Sequence, residues 1–246
     1  MKYFTGAKNP IPSFVMFSTV HLITLAILVI SYFLLYLNRN KFKSRTIDRA
    51  VRYSLAAILI SMETGTVIFN LVTDSWMLAT SLPLQLCDIL VILSSLLLMT
   101  KSYQLYEFVY LLGLAGATQA LITPDLIQGF PTYQFFLFFV SHGLIIFSAL
   151  YMTFVHDYRP NLRSIYRTYI GLNLSLPIIG LVNFLTGGDY FFLAGKPETA
   201  SLLDYLGPWP WYILSLEIVA VILLCLSYLP FVIKDIVLSQ SKKKTF

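Results

Sequence analysis

Residues 14–37 read FVMFSTVHLITLAILVISYFLLYL, a run of 24 residues without a charged side chain. A helix of about 20 apolar residues, rising about 1.5 Å per residue, crosses the roughly 30 Å of hydrocarbon in a bilayer. The run is too long for the core of a signal peptide, which has about 7–15 apolar residues, and a small-residue cleavage site is missing. This stretch therefore predicts a membrane-spanning helix.

The rest of the chain repeats this pattern. Of its 246 residues, 57% are hydrophobic and 12% are charged, whereas about 25% are charged in a typical soluble domain. We predict an all-α, polytopic helical bundle forming a single membrane domain, 1–246. The aromatic and leucine content of the predicted outer loop, 186–209, indicates that this loop folds back on the bundle. The seven predicted spans are about 14–37, 51–72, 82–100, 103–122, 133–155, 165–185 and 210–233.

Basic residues fall almost entirely on one side of this predicted bundle. Of the 17 Lys and Arg residues, only Lys2, Lys8 and Lys196 lie on the other side. The positive-inside rule then predicts that the N-terminus is outside and the C-terminus is cytoplasmic. The net charge of +5 is a signal of topology, so no nucleic-acid partner is expected.

Polar side chains concentrate in the predicted outer half of the spans, while the inner half is nearly bare, with Glu107 close to its surface and Asn173 near mid-depth. Ionisable side chains are costly in lipid and mark functional sites. A polar cavity open toward the outside or the outer leaflet is therefore predicted. The residues that we expect to line or support it are Glu63, Gln85, Cys87, Asp88, Gln119, Asp125, His142, Asn183 and Glu217.

Cys87 and His142 are the only thiol and histidine base predicted to lie at similar depths in the membrane. A thiol with an ordinary pKa of about 8.5 is mainly protonated at neutral pH, and a neighbouring His that takes the proton makes it a nucleophile. If Ser81 caps its helix, Cys87 lies beyond the first turn and the helix dipole contributes little. Gln85 and Asp88 share one helix face, and Cys87 lies about 100° away from it.

Simpler roles remain open for each of these residues. Cys87 could pack as a small apolar residue, His142 could donate a structural hydrogen bond, and Asp125 could belong to a turn. The Glu, Gln and Asn side chains could join helices by hydrogen bonds. A metal site at His142 and nearby carboxylates ranks third, because no local spacing supports it, and no cofactor is expected. Cys225 lies at a different depth from Cys87, so no disulfide is predicted.

Several motifs resemble those of the YwaF-like bacterial integral membrane proteins. They are LPLQLCD at 82–88, YEFVYLLGLAGATQALITPDL at 106–126, GFP at 129–131, SHG at 141–143 and KPETASLLDYLGPWPWYILSLE at 196–217. That family often has a histidine where this chain has Gln85. It is similar to a eukaryotic transmembrane acyltransferase that remodels phospholipids with a Cys and a His in the membrane. The resemblance implies that Cys87 accepts the acyl group, that His142 is its base, and that the protein lies in the bacterial cytoplasmic membrane.

Together these observations favour a membrane-embedded acyl-transfer enzyme, either an acyltransferase or a lipid hydrolase, that acts on phospholipid from the outer half of the bilayer. The alternative is a non-catalytic ligand-binding protein or a proton-linked transporter with an outward-facing polar cavity. Glu63, His142 and Glu217 would suit a proton relay in that case. A structural partner in an envelope complex is a third possibility.

Overall fold

The computed structural model describes residues 12–197 and 202–243. Within them the protein is all-helical, and six of the helices are long and apolar enough to cross a membrane. The remaining helix, α3, is apolar but has only 15 residues. The helices are α1 (Thr19–Phe42), α2 (Arg45–Val72), α3 (Leu86–Thr100), α4 (Tyr103–Ile122), α5 (Tyr133–Val155), α6 (Leu162–Thr186) and α7 (Trp211–Lys243).

Side-chain caps define where several helices begin. The oxygen atoms of Ser18, Ser102, Thr132 and Asn161 each accept a hydrogen bond from a backbone N–H in the first turn of α1, α4, α5 and α6. Such caps satisfy donors that have no partner within the helix, and each stabilises it by about 1 kcal/mol. Gly187 caps the C-terminus of α6, and its φ of 69° suits a residue without Cβ.

The centre of the bundle is formed by α4 and α5. In their most apolar stretches 50% and 56% of the residues are buried, compared with 11% in α1 and in α2. A π-helical turn, Gly113–Ala117, widens α4 where it packs against α5. The outer helices present apolar side chains to their surroundings, as expected of helices that face lipid.

One end of the bundle, where α1 ends and α2 begins, gathers the loops rich in basic residues; we call it the basic end. Lys43 forms an ion pair with Asp157 at 2.8 Å, and the Tyr158 hydroxyl donates to the carbonyl of Lys101 at 2.7 Å. Arg159 pairs with Asp235, and this contact places α7 beside the same loops. The loops that the sequence predicts to be cytoplasmic therefore meet at one end.

A buried polar network lies near the basic end. The Asp48 carboxylate accepts hydrogen bonds from Arg52 Nε at 3.0 Å and from the Tyr151 hydroxyl at 3.1 Å, and His156 Nε2 lies 2.7 Å from it. Arg52 also donates to the carbonyl of Leu98. Asp48 and Arg52 thus turn inward from the first two turns of α2, and buried polar side chains occur near the basic end as well as around Cys87.

The loop after α6 folds back on the bundle, as predicted, over residues 187–197. Tyr190 is fully buried; its hydroxyl donates to the carbonyl of Leu78 at 2.7 Å and accepts from the N–H of Leu82 at 3.0 Å. The Asn183 side chain bonds both the N–H and the carbonyl of Tyr190, at 2.8 and 2.9 Å. These bonds join the end of α6 to the chain segment that leads into α3.

Candidate functional site

The helix that carries Cys87 begins later than the sequence predicts. Its first backbone hydrogen bond runs from Ile89 N–H to Gln85 O at 3.1 Å, and Gln85 N–H donates to the Asp88 carboxylate at 3.2 Å. The Ser81 hydroxyl instead accepts from the N–H of Met77 at 3.1 Å. The expectation that Ser81 caps this helix is therefore wrong, because the capping pair is Gln85 and Asp88.

The segment 81–85 consequently enters the bundle without regular helix. The Gln85 side chain secures it, since its Nε2 donates to Asp189 O at 3.2 Å and its Oε1 accepts from Phe191 N–H at 3.0 Å. Non-helical backbone at membrane depth is tolerated where it is packed in protein or lines a cavity. Both conditions apply here, because Gln85 bonds the folded-back loop and also faces the cavity described below.

Cys87 is the second residue of α3 and lies in its first turn. The expectation that Cys87 lies beyond the first turn of its helix is therefore wrong. The first N–H groups of a helix have no partner within it, and their positive end favours negative charge on a nearby sulfur atom. The neighbouring Asp88 carboxylate, when it is ionised, disfavours negative charge on the sulfur atom and so opposes the effect of the dipole.

His142 of α5 lies directly against the Cys87 thiol, with Nε2 3.0 Å from Sγ. Its other ring nitrogen, Nδ1, is 2.8 Å from the carbonyl oxygen of Phe138. A carbonyl oxygen can only accept, so Nδ1 carries the proton and Nε2 offers its lone pair to the thiol. The imidazole is only 6% exposed and stacks on the Phe138 ring at a centroid distance of 4.2 Å. The thiol and its base are therefore held together in one orientation.

The pair opens into a cavity of ≈ 490 Å³ between α2, the start of α3, the start of α5 and the chain before α5. We call this end of the bundle, where α2 ends and α3 begins, the cavity end. The apolar lining includes Val91, Leu137 and Phe138. The polar lining consists of Glu63, Thr66, Asn70, Thr80, Ser81, Gln85, Cys87, Asp88, Asp125, Gln134, Ser141 and His142.

Comparison with known proteins assigns the chain to a family. The family model described as the TMEM164 family matches residues 16–228, from just before α1 to well within α7. The chain belongs to the TMEM164 family. Comparisons with curated proteins and with solved structures each found no match. This TMEM164 family member is thus a multi-pass membrane protein, and the matched region includes both Cys87 and His142.

Four of the predicted supporting residues of this TMEM164 family member line the cavity together with the Cys–His pair. They are Glu63, Gln85, Asp88 and Asp125. Gln85 and Asp88 also cap α3, so each links the structure of the helix to the polar surface of the cavity.

The other three predicted supporting residues lie outside the cavity lining. Gln119 Nε2 donates to Thr123 Oγ1 at 2.9 Å, just beyond the end of its own helix. The Asn183 side chain is buried and bonds the backbone of the folded-back loop. Glu217 Oε2 accepts from Asn173 Nδ2 at 3.0 Å and joins α7 to α6. These contacts are structural hydrogen bonds between nearby parts of the bundle.

Six polar lining residues of this TMEM164 family member were not among the cavity residues predicted from the sequence, namely Thr66, Asn70, Thr80, Ser81, Gln134 and Ser141. Thr66 and Asn70 follow Glu63 by three and seven residues, so the three side chains lie on one face of α2. Gln134 and Ser141 are also seven residues apart and lie on one face of α5. This helical spacing is a signal that could have added Thr66, Asn70, Gln134 and Ser141 to the prediction.

Neither cysteine of this TMEM164 family member is in a disulfide: both are free thiols, Cys87 half-buried and Cys225 exposed on α7. Over residues 12–197 and 202–243, no three His, Cys, Asp or Glu side chains are grouped so that they could hold a metal ion. The chemistry that the described site offers is therefore that of a thiol, an imidazole, carboxylates and amides.

Proposed function

We propose that this TMEM164 family member is a membrane-embedded acyl-transfer enzyme, an acyltransferase or a lipid hydrolase, that acts on phospholipid through Cys87 and His142. One observation carries the proposal. The unprotonated Nε2 of His142 lies 3.0 Å from Cys87 Sγ, while Nδ1 is fixed by the Phe138 carbonyl. A nucleophile within hydrogen-bonding distance of a base that a third group orients is the arrangement that covalent acyl transfer uses.

In the first half-reaction, Cys87 Sγ attacks the carbonyl carbon of a fatty-acyl ester while His142 Nε2 takes the thiol proton. The bond from that carbon to the alcohol oxygen then breaks, and His142 returns the proton to the departing oxygen. A lysolipid leaves, and the acyl group remains on Cys87 as a thioester. The proton removed from the thiol thus ends on the leaving alcohol, and His142 is neutral again.

In the second half-reaction, an acceptor hydroxyl attacks the thioester carbonyl and His142 takes its proton. The carbon–sulfur bond breaks, and His142 returns that proton to the thiolate. A lysolipid acceptor makes the enzyme an acyltransferase, and water makes it a lipid hydrolase. The two outcomes share the same Cys87 thioester, so the proposal covers both.

The developing oxyanion needs hydrogen-bond donors. Cys87 lies in the first turn of α3, where backbone N–H groups have no helical acceptor, so we assign this role to them. Gln119 and Asn183 bond other parts of the bundle and are outside the cavity lining. A single donor of this kind typically contributes about 3–4 kcal/mol to the stability of the transition state.

Glu63, Asp88 and Asp125 provide the polar surface against which a headgroup or acceptor would bind. The cavity end is opposite the basic end, so the positive-inside rule supports access from the outer half of the bilayer. The resemblance of the LPLQLC and SHG motifs to those of YwaF-like bacterial proteins supports the same chemistry and a bacterial cytoplasmic membrane.

The experiment uses purified protein in nanodiscs supplied with phospholipid that carries a labelled acyl chain. We expect a labelled protein adduct that hydroxylamine releases, because hydroxylamine cleaves thioesters. Cys87→Ala is expected to abolish the adduct, whereas Cys225→Ala, the matched control at the other free thiol, is expected to retain it. The proposal fails if the wild type forms no adduct, or if Cys87→Ala labels as strongly as the wild type.

The second candidate function is ligand binding or proton-linked transport without catalysis. It is favoured by the carboxylates in the cavity, because no Lys or Arg is among the described residues that line it. Uptake into proteoliposomes under a pH gradient separates the two functions. A carrier would keep its uptake in Cys87→Ala and lose it in Glu63→Gln. An acyl-transfer enzyme would instead lose the labelled adduct in Cys87→Ala.

A further inference from the structure

A second recess lies on the exposed side of α2 at the basic end, far from Cys87. Its volume is ≈ 470 Å³, and it is lined by Arg45, Thr46, Arg49, Ala50 and Tyr53. The spacing of four residues from Arg45 to Arg49 and from Arg49 to Tyr53 places the three long side chains on one helix face. The small side chains of Thr46 and Ala50 leave the space between them open.

The two arginines of this recess, Arg45 and Arg49, have no carboxylate partner among the described residues. Asp48, on the same turns of α2, is buried and pairs with Arg52 and His156. The other ion pairs of the basic end are Lys43–Asp157, Arg159–Asp235 and Arg167–Glu107. Arg45 and Arg49 thus retain two positive charges that the described protein does not neutralise.

We propose that this recess binds the headgroup phosphate of an anionic phospholipid. The planar guanidinium group donates two parallel hydrogen bonds to phosphate, and two such groups one helical turn apart can hold one phosphate between them. The Thr46 hydroxyl supplies a further donor, and the Tyr53 ring suits the boundary between headgroups and acyl chains.

The surroundings of the recess favour a lipid over a soluble anion. Further along α2, Ile60 is exposed and apolar and lies on the same helix face as Arg49 and Tyr53, so an acyl chain can continue along the helix from a phosphate held at Arg45. The recess also lies at the end where the basic loops meet, and clusters of Lys and Arg beside membrane helices bind anionic lipids. This site is separate from the proposed acyl-transfer site and does not depend on that function.

The test is a titration of the purified full-length protein in non-ionic detergent with phosphatidylglycerol, followed by native mass spectrometry, with phosphatidylcholine and inorganic phosphate as separate arms. For Arg45→Gln/Arg49→Gln we expect apparent affinity for phosphatidylglycerol to fall about 30-fold, from about 1 kcal/mol per arginine and about 1.4 kcal/mol per factor of ten. The matched control, Arg39→Gln/Lys41→Gln, removes the same charge from the same end and is expected to change the affinity less than threefold.

The variants are expected to fold, because the side chains of Arg45 and Arg49 are exposed and form no ion pair within the described chain. The proposal is overturned if the Arg45/Arg49 variant binds phosphatidylglycerol like the wild type, or if the control variant loses as much affinity. Phosphatidylcholine binding that equals phosphatidylglycerol binding overturns the preference for an anionic headgroup. Inorganic phosphate that competes at the same concentration as the lipid overturns the assignment to a lipid.

Discussion

The hydrogen bonds of His142 lead to a prediction that separates its role as a base from its role in structure. The Nδ1 position donates to Phe138 O at 2.8 Å, and the Nε2 position faces Cys87 Sγ at 3.0 Å. In His142→Asn the amide nitrogen can still donate to the Phe138 carbonyl, and in His142→Gln an amide atom can reach the position of Nε2. Neither amide accepts a proton at neutral pH, so both variants remove the base and each preserves one of the two contacts.

We expect both variants to form the acyl adduct about 10²–10⁴ times more slowly, which is the usual contribution of a positioned general base. The loss corresponds to about 3–5 kcal/mol of activation free energy. The cost in folding stability is expected to be smaller, about 1 kcal/mol, because only one hydrogen bond changes in each variant.

The assay measures the rate of adduct formation with labelled phospholipid in a Cys225→Ala background, so that Cys87 is the one thiol present. Ser141→Ala is the matched control, because Ser141 Oγ is 3.4 Å from His142 Nδ1 and lies beside the base without facing the thiol. The control is expected to react within fivefold of the wild type. If His142→Asn and His142→Gln both form the adduct within a few-fold of the wild-type rate, His142 is not the base.

Two further predictions concern stability, measured as the free energy of unfolding in detergent. Tyr190→Phe leaves the partly buried N–H of Leu82 without its acceptor and is expected to destabilise the protein by about 1–3 kcal/mol. Tyr205→Phe, which changes an 88% exposed side chain, is expected to have no measurable effect. Equal effects of the two variants would contradict the role of the Tyr190 hydroxyl. Asp48→Asn removes the charge that the buried Arg52 pairs with and is expected to lower the free energy of unfolding by about 3–5 kcal/mol. Asp157→Asn, in an exposed pair, is expected to lower it by less than about 1 kcal/mol. A similarly small effect of Asp48→Asn would show that the buried network is dispensable for stability.

Hydropathy predicted which segments are helical but not where each helix ends. The predicted span 133–155 coincides with Tyr133–Val155, because the whole of that helix is apolar. The span predicted at 51–72 begins at Arg45, since its first turns carry charged residues that lower the hydropathy without preventing helix. The last helix continues to Lys243 for the same reason. Hydropathy measures the part of a helix that suits lipid, and a helix can extend beyond it.

The predicted depth of polar residues along the spans identified some residues of the cavity but also selected residues that lie outside it, for a geometric reason. A residue's position in the sequence gives its depth in the membrane, but not the direction in which its side chain points within the bundle. Cys87 and His142 share both depth and direction. Gln119, Asn183 and Glu217 have a suitable depth, yet their side chains bond other elements. Direction depends on helix packing, which the spacing of polar residues on a single helix can only partly indicate.

The late start of α3 explains how one membrane protein can hold a thiol at depth and still give it access to a polar cavity. A continuous helix from residue 82 would bond its own backbone groups and leave Cys87 within the second turn. Because the chain stays non-helical up to Gln85, the first free N–H groups of α3 lie beside Cys87. The cost of this irregular backbone is offset by bonds from Gln85 and Tyr190. The folded-back loop therefore contributes to the site without touching the thiol, since it holds the segment that determines where α3 begins.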